Sequence, residues 1–292
     1  MTRVSFDASA RVHTQSAAYT TDYKRHSLMI LLSAAVLLLV MLIAGWLTDP
    51  AAMTVQLENR NLQPSLQHLF GTDWLGRDMF ARTMKGLLLS IQTGLTGAVC
   101  SAMIAAVLGI SAALLGRQAD RFISWLMDLF LSVPHLVALI LTAFVCGGGM
   151  KGIVIGIALT HWPALARLIR AEAMQLMTAQ YVLVSRRLGR SLFWIAGRHL
   201  LPHLLPQLVV GGLLLFPHAI LHEAAITFIG LGLPPHQPAV GIILSESMRY
   251  LSSGMWWLAV LPGAALLVAV RIFDVLGSHT QRLLDPQQYE RL

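Results

Sequence analysis

Long apolar runs recur along this chain and restrict its fold more than any other feature. The first run spans residues 28–47, and further runs near twenty residues follow it. A helix needs about 20 apolar residues to cross the hydrocarbon core of a membrane. Only 12% of the 292 residues are charged, whereas soluble domains carry about 25%. The sequence therefore predicts an all-α polytopic membrane protein.

Six apolar segments can serve as transmembrane helices. The first is too long for the apolar core of a secretory signal, so we predict an uncleaved span. Pro134 lies inside the third segment and predicts a kink, and the glycines at 147–149 predict a tight turn. The six predicted spans are residues 28–47, 87–115, 122–146, 150–171, 204–229 and 255–276.

The spans divide the chain into four regions. Residues 1–26 are polar and lack periodicity, so they are predicted to be a poorly ordered cytoplasmic tail. Residues 27–86 hold the first span and an external loop. Residues 87–280 form the transmembrane core, which includes a basic loop at 172–203. Residues 281–292 form a second cytoplasmic tail.

The positive charge of the chain, formally +7, indicates membrane orientation rather than nucleic-acid binding. Lys and Arg concentrate in the cytoplasmic loops of membrane proteins. If both termini are cytoplasmic, the inner segments hold 15 Lys and Arg and the outer segments hold 6. This asymmetry predicts that the N-terminus and the C-terminus are both inside. Cys100 and Cys146 lie in apolar runs, so no disulfide framework is implied.

The basic loop has a helical pattern of its own. Its apolar residues recur at intervals of three, four and seven, the spacing of one helical face. Gly189 interrupts the pattern, and Ser191 can cap a second helix. The loop is therefore predicted to form two short amphipathic helices with a glycine bend between them. The apolar positions are Tyr181, Val184, Leu188, Leu192 and Ile195.

Three stretches of the chain carry a resemblance to a known family. The segment from Tyr181 to Gly189, followed by Arg-His-Leu-Leu-Pro ending at Pro202, resembles the coupling loop of binding-protein-dependent ABC importer permeases. Gly189, Leu201 and Pro202 fall in register, whereas the family's Glu-Ala-Ala positions hold Leu, Val and Ser. The run Gly-Thr-Asp-Trp-Leu-Gly-Arg-Asp at 71–78 resembles a motif of the oligopeptide, dipeptide and nickel permeases. The run beginning at Glu223 resembles that group's E-A-A-L-S-F-L-G-L-G segment.

The resemblance implies an architecture and a set of partners. It implies the type I ABC importer permease fold with six transmembrane helices and cytoplasmic coupling helices, in the second, C-type permease of the group. The partners would be a homologous permease, two cytoplasmic ATPases and a periplasmic or extracellular solute-binding protein, in a bacterial inner membrane. ATP and Mg would bind the ATPases, because this chain lacks G-x-x-x-x-G-K-[ST]. The chain itself is expected to bind no cofactor.

The resemblance also assigns two groups of residues. One contacts the ATPases, although its arginines can alternatively enforce topology or contact anionic lipid. The second group lies in the external loop, where it either pairs its own charges to fix the turn or docks the solute-binding protein. The ATPase-coupling residues are Tyr181, Ser185, Arg186, Arg187, Leu188, Gly189 and Arg190. The external residues are Gly71, Asp73, Gly76, Arg77 and Asp78.

Ionisable residues inside the spans mark the predicted translocation path, because such groups face protein or water rather than lipid. They are His161, His218, His222 and Glu223. His218 and His222 lie four residues apart on one helical face, where two imidazoles can share a metal. Histidines at these places resemble the nickel branch, so nickel or a metal chelate is the predicted substrate. Bonding to backbone or water in a polar lumen is the alternative role, and a peptide the alternative substrate.

Two other classes of protein fit the sequence less well. In a membrane-embedded metalloenzyme, His218 and His222 would bind the metal and Glu223 would act as base. The glutamate follows the second histidine, however, which matches neither H-E-x-x-H nor H-x-x-E-H. A channel or scaffold without ATPase partners leaves the coupling loop unexplained. The chain is therefore predicted not to be an enzyme.

Overall fold

The computed structural model describes the backbone of residues 4–284 and the side chains of residues 25–49 and 51–284. Helices dominate this range, and no strand occurs in it. Five helical segments are long and apolar enough to cross a membrane, and a bent pair of helices supplies a sixth crossing if it counts as one span. The all-α prediction is confirmed. The helices are α1 Val4–Leu47, α2 Met79–Leu114, α3 Arg117–Ser132, α4 His135–Val145, α5 Gly149–Met177, α6 Gln180–Arg187, α7 Leu192–Ile195, α8 Leu201–Phe228, α9 Val240–Ser247 and α10 Trp257–Leu284.

The first and last helices extend into the regions predicted as tails. Helix α1 begins at Val4, so residues 4–24 are helical where an irregular tail was predicted. The segment offers no proline, and its first glycine is Gly45, so nothing in the sequence breaks the helix before the membrane. Helix α10 continues to Leu284. The predictions for residues 1–3 and 285–292 lie outside the described residues.

The third predicted span is two helices rather than one kinked helix. Helices α3 and α4 meet at an angle of 99°. Val133 has an extended backbone, with φ −85° and ψ 137°. A residue before proline is driven out of the α region by the proline ring, so Pro134 ends α3 at this point. The break makes His135 the first residue of α4.

Helix α2 starts eight residues earlier than predicted. The side chain of Asp78 accepts a hydrogen bond from the Ala81 N–H at 2.8 Å, which is an N-terminal cap. The external motif therefore leads directly into a membrane helix instead of lying in a separate loop. The polar side chains of Arg82 and Lys85 lie in the first turns of the helix, so the apolar run that predicted the span begins only after them.

Helices α2 and α5 pack closely through small residues. On α2, Gly97, Ser101, Ala105 and Gly109 recur every four residues and are all buried. Small residues at this spacing allow two membrane helices to approach each other. A Cβ atom on Gly97 would lie 2.7 Å from Ile157 Cγ2, and one on Gly109 would lie 2.9 Å from the Ala166 carbonyl oxygen. This contact places α5, and with it His161, against the centre of the bundle.

We expect Gly97→Ala to destabilise the protein although alanine favours helix formation. Intrinsic propensity alone would stabilise the variant by about 1 kcal/mol. The new methyl group instead overpacks against Ile157, and overpacking typically costs about 1–3 kcal/mol. Gly212→Ala is the matched control, because its Cβ would meet only the Ala102 methyl at an ordinary 3.8 Å. The measurement is the thermal unfolding midpoint of each purified variant, and equal midpoints would contradict the packing argument.

Candidate functional site

The basic loop folds as two short helices around a left-handed glycine, as predicted. Gly189 has φ +76°, and its N–H donates to the Arg186 carbonyl at 3.0 Å. The Arg190 N–H donates to the Ser185 carbonyl at 3.1 Å. These two bonds make a Schellman motif, which ends α6. Ser191 then caps α7 by accepting from the Trp194 N–H at 3.2 Å.

The second short helix differs from the prediction in one respect. Helix α7 does not stop before the membrane but continues through a π-turn at Ala196–Leu200 into α8. Pro202 has no N–H to donate to the preceding turn, and the Leu201 N–H bonds to the Ala196 carbonyl five residues back. The loop is thereby joined rigidly to α8. A displacement of α7 would be transmitted along the same helix that carries His222 and Glu223.

The loop exposes both apolar and basic side chains. Val182 and Ile195 are fully buried and anchor the loop to the rest of the chain. Phe193 is 91% exposed and Leu188 is 74% exposed. Large apolar side chains left exposed in this way are a feature of protein–protein interaction surfaces. The predicted coupling residues Tyr181, Arg186, Arg187, Leu188 and Arg190 are exposed, whereas Ser185 is partly buried against His199 at 2.9 Å.

The external motif is held together by a buried charge network. Asp73 is completely buried, and its Oδ2 accepts from Arg77 Nε and from Arg82 Nη1, each at 2.7 Å. Its Oδ1 accepts the N–H groups of Leu75 and Arg77, each at 2.9 Å. Arg82 Nη2 donates to Glu246 Oε2 at 2.9 Å. The network therefore ties the external motif to α2 and to α9.

The glycines of this motif are required by its backbone. Gly71 and Gly76 have φ +71° and +73°. A Cβ atom on Gly76 would lie 1.8 Å from the Gln56 carbonyl oxygen. Beside the motif, a cavity of about 390 Å³ separates it from the loop after α8. Trp74 stacks on Tyr250 at its edge, with ring centroids 4.5 Å apart.

Glu223 is buried in the protein interior, whereas His218 on the same helix is exposed. The Glu223 carboxylate accepts a hydrogen bond from the Thr227 hydroxyl at 2.9 Å. That hydroxyl in turn accepts from the Leu233 N–H at 3.3 Å. A Cβ on Gly232 would come within 2.2 Å of the same hydroxyl. In this chain Glu223 thus helps to fix the turn after α8, and its predicted place in the translocation path stays a prediction.

Three histidines from three helices meet inside the bundle. His161 Nε2 lies 3.2 Å from His135 Nε2 and 3.1 Å from His222 Nδ1. Their nitrogen atoms all lie within 4.8 Å of one another. His161 is only 6% exposed, and the other two are partly buried. We refer to His135, His161 and His222 as the three-histidine cluster.

The tautomer of His161 follows from its neighbours. Its Nδ1 lies 3.2 Å from the Ile157 carbonyl oxygen and 3.1 Å from the Thr160 hydroxyl. That hydroxyl donates its own proton to the Gly156 carbonyl at 2.8 Å, so it can only accept from the ring. The proton of neutral His161 is therefore on Nδ1, and the lone pair of Nε2 faces the other two histidines. Metal-binding histidines are oriented by the same kind of bond.

The three-histidine cluster differs from the predicted metal pair. It includes His161 and His222 but not His218, which lies one turn before His222 on α8. The shared metal on His218 and His222 stays a prediction. Sequence reasoning missed His135 because it placed this residue inside a continuous third span. The adjacent Pro134 could have indicated it, because a helix that begins anew after a proline takes a different direction, and its first side chains then point elsewhere.

Comparison with known proteins links the chain to membrane components of transport systems. Residues 105–287 match the family described as the binding-protein-dependent transport system inner membrane component. A putative peptide transport system permease protein of Brucella suis is 34% identical, covering 89% of this chain and 85% of the relative. The dipeptide transport system permease protein DppC of Bacillus subtilis is 31% identical, covering 94% and 88%. A putative peptide permease protein of Brucella ovis is 37% identical, covering 80% and 78%.

The fold is also similar to that of a solved transporter. An inward-facing structure of the MetNI methionine ABC transporter aligns with a TM-score of 0.57 at 18% identity. The alignment covers 71% of this chain and 98% of that chain. At this identity the likeness concerns the fold alone. The match extends over nearly the whole of that chain, in agreement with the predicted architecture.

Proposed function

The chain belongs to the binding-protein-dependent ABC importer permeases, and on this premise we propose that it forms half of the translocation path of a peptide importer. The single observation that carries the substrate class is the identity of 31–37% to relatives named as peptide or dipeptide permeases, over most of both chains. Nickel or a metal chelate was the substrate predicted from the span histidines. These relatives favour the alternative substrate, a peptide, so we propose a peptide in place of nickel or a metal chelate.

The proposed mechanism is alternating access driven by partner subunits. The exposed apolar side chains of the coupling loop fit a helix-in-groove contact, in which an apolar helix face enters a groove on the partner. Arg186, Arg187 and Arg190 are exposed on the same loop and can pair with acidic groups on an ATPase. Closure of two ATPases around ATP and Mg would move α7, and α7 continues into α8. A second, homologous permease would complete the path.

The proposed orientation places the coupling loop in the cytoplasm and the motif at 71–78 outside. The distribution of Lys and Arg supports this placement, with both termini inside a bacterial inner membrane. The outer face would then carry the cavity bordered by Trp74 and Tyr250. A solute-binding protein that docks there would release its ligand near α9. No nucleic-acid role is proposed.

The proposed substrate class is tested by uptake into cells that carry the complete transporter. We expect labelled dipeptides or oligopeptides to accumulate in an ATP-dependent way, and an excess of unlabelled peptide to abolish the accumulation. Free nickel, and nickel with a histidine-type chelator, serve as the competing substrates. Uptake of nickel or its chelate without uptake of peptide would overturn the proposed substrate and restore the prediction from the histidines.

A further inference from the structure

We propose that His135, His161 and His222 form a binding site for one divalent transition-metal ion of the class that prefers imidazole ligands, such as Zn²⁺. The inference concerns a site and not a substrate, so it does not depend on whether the transporter carries peptides. It rests on the positions of three nitrogen atoms, on the hydrogen bonds around His161 and on the chain break that positions His135.

The nitrogen positions match the geometry of a metal site. Zinc–nitrogen bonds of about 2.0–2.1 Å at a tetrahedral angle place neighbouring ligand atoms about 3.3 Å apart. The observed separations are 3.2 Å for His135 to His161 and 3.1 Å for His161 to His222. The remaining pair lies within 4.8 Å, so His135 and His222, the two partly buried rings, would move closer together when the ion binds.

The ligand chemistry selects the class of metal. Neutral imidazoles suit zinc, copper and nickel, whereas magnesium and calcium need oxygen ligands. Within the described residues, the cluster contains three histidines and no carboxylate or thiolate. The Glu223 carboxylate is adjacent in sequence, but it is buried and bonded to Thr227. Three imidazoles leave a coordination position open to water or to another ligand, as in zinc sites with exchangeable ligands.

The protein orients the central ligand in advance. The Nδ1 proton of His161 is bound by the Ile157 carbonyl and the Thr160 hydroxyl. The Nε2 lone pair therefore faces the point that the other two rings share. An outer bond of this kind fixes the ring and raises its basicity. The cluster is thus partly preorganised, which distinguishes it from histidines brought together only by a polar lumen.

A bound metal would cross-link three helices of the bundle. His135 starts α4, His161 lies midway along α5, and His222 lies on α8 beyond the coupling loop. One ion would join the start of α4, directly after the bend at Pro134, to α5 and to the helix that is continuous with α7. We therefore expect Zn²⁺ to raise the thermal unfolding midpoint, because a ligand that binds only the folded state stabilises it.

The test measures Co²⁺ binding to the purified complete transporter, isolated through a tag without histidines and stripped of metal with a chelator. We expect the d–d absorption of low-coordinate Co²⁺, with one such ion per copy of this chain. His135→Ala and His222→Ala should each weaken binding by about 10- to 100-fold, the loss that even an outer-shell partner can cause. His161→Ala should also weaken Co²⁺ binding, but it removes a buried side chain and can destabilise the fold. The decisive variants are therefore those at His135 and His222, which are partly buried.

His236→Ala is the matched control, because His236 is an exposed histidine of the external loop. It should leave both the absorption and the Zn²⁺-dependent rise in the unfolding midpoint unchanged. Unaltered Co²⁺ binding in assembled His135→Ala and His222→Ala complexes would overturn the proposal. Loss of binding in His218→Ala with retention in His135→Ala would also overturn it, in favour of the pair on α8. Because no transport is measured, failure here is distinct from failure of the proposed peptide function.

Discussion

Replacement of Gly189 by proline is expected to abolish transport while the transporter still assembles and its ATPases still hydrolyse ATP. Gly189 has φ +76°, whereas proline is fixed near −65°. Its N–H also bonds to the Arg186 carbonyl, and proline has no N–H to replace that bond. The turn between α6 and α7 must therefore rearrange. Helices α6 and α7 would then no longer hold their exposed apolar side chains in one fixed geometry.

The effect of this substitution is separable from a simple steric clash. A Cβ atom at residue 189 would meet nothing within 4 Å, so only the backbone conformation is at stake. Gly189→Asn is the matched control, since asparagine adopts left-handed conformations more readily than other residues with a Cβ. It should keep most of the uptake. Uptake and ATPase activity are measured together on the complete transporter. Wild-type coupling in Gly189→Pro would contradict the proposed coupling loop.

Substitution of Asp73 by asparagine is expected to lower the free energy of unfolding more than Gly97→Ala does. The carboxylate is completely buried and accepts four hydrogen bonds, two from arginines and two from backbone N–H groups. In either orientation, the NH₂ group of the asparagine side chain would face hydrogen-bond donors, which are the two backbone N–H groups or the two arginine side chains. Arg82, itself buried, would keep only Glu246 as a charged partner. Breaking a buried ion pair on one side typically costs about 3–5 kcal/mol.

The matched control for this experiment is Asp128→Asn. Asp128 accepts from Arg167 Nη2 at 2.6 Å, but the two side chains are 70% and 53% exposed. Exposed ion pairs contribute about 0–1 kcal/mol, so this variant should unfold near the wild-type midpoint. Thermal unfolding of the purified complexes gives the comparison. Similar midpoints for the two variants would show that the external network does not hold α2 and α9 together.

Local patterns in the sequence were sufficient to predict how the basic loop folds. Gly189 and Ser191 act on their own neighbours, through a left-handed turn and an N-terminal cap. Both effects depend on residues within five positions of each other along the chain, so they can be predicted without a tertiary structure. The same holds for the long apolar helices, because the hydrocarbon core of a membrane imposes their length. Three motifs separated along the chain also identified the family.

Only the tertiary structure decided which polar side chains meet. His218 and His222 share a helical face by spacing, yet the close neighbours of His222 are His135 and His161, from two other helices. The bend at Pro134 and the close packing of α2 on α5 set those positions. Likewise, Glu246 joins Asp73 through Arg82 across more than 160 residues. Contacts of this kind depend on helix packing angles, which the sequence pattern of a single helix does not contain. The sequence thus determined the membrane helices and the local fold of the basic loop, and packing determined the three-histidine cluster and the charge network around Asp73.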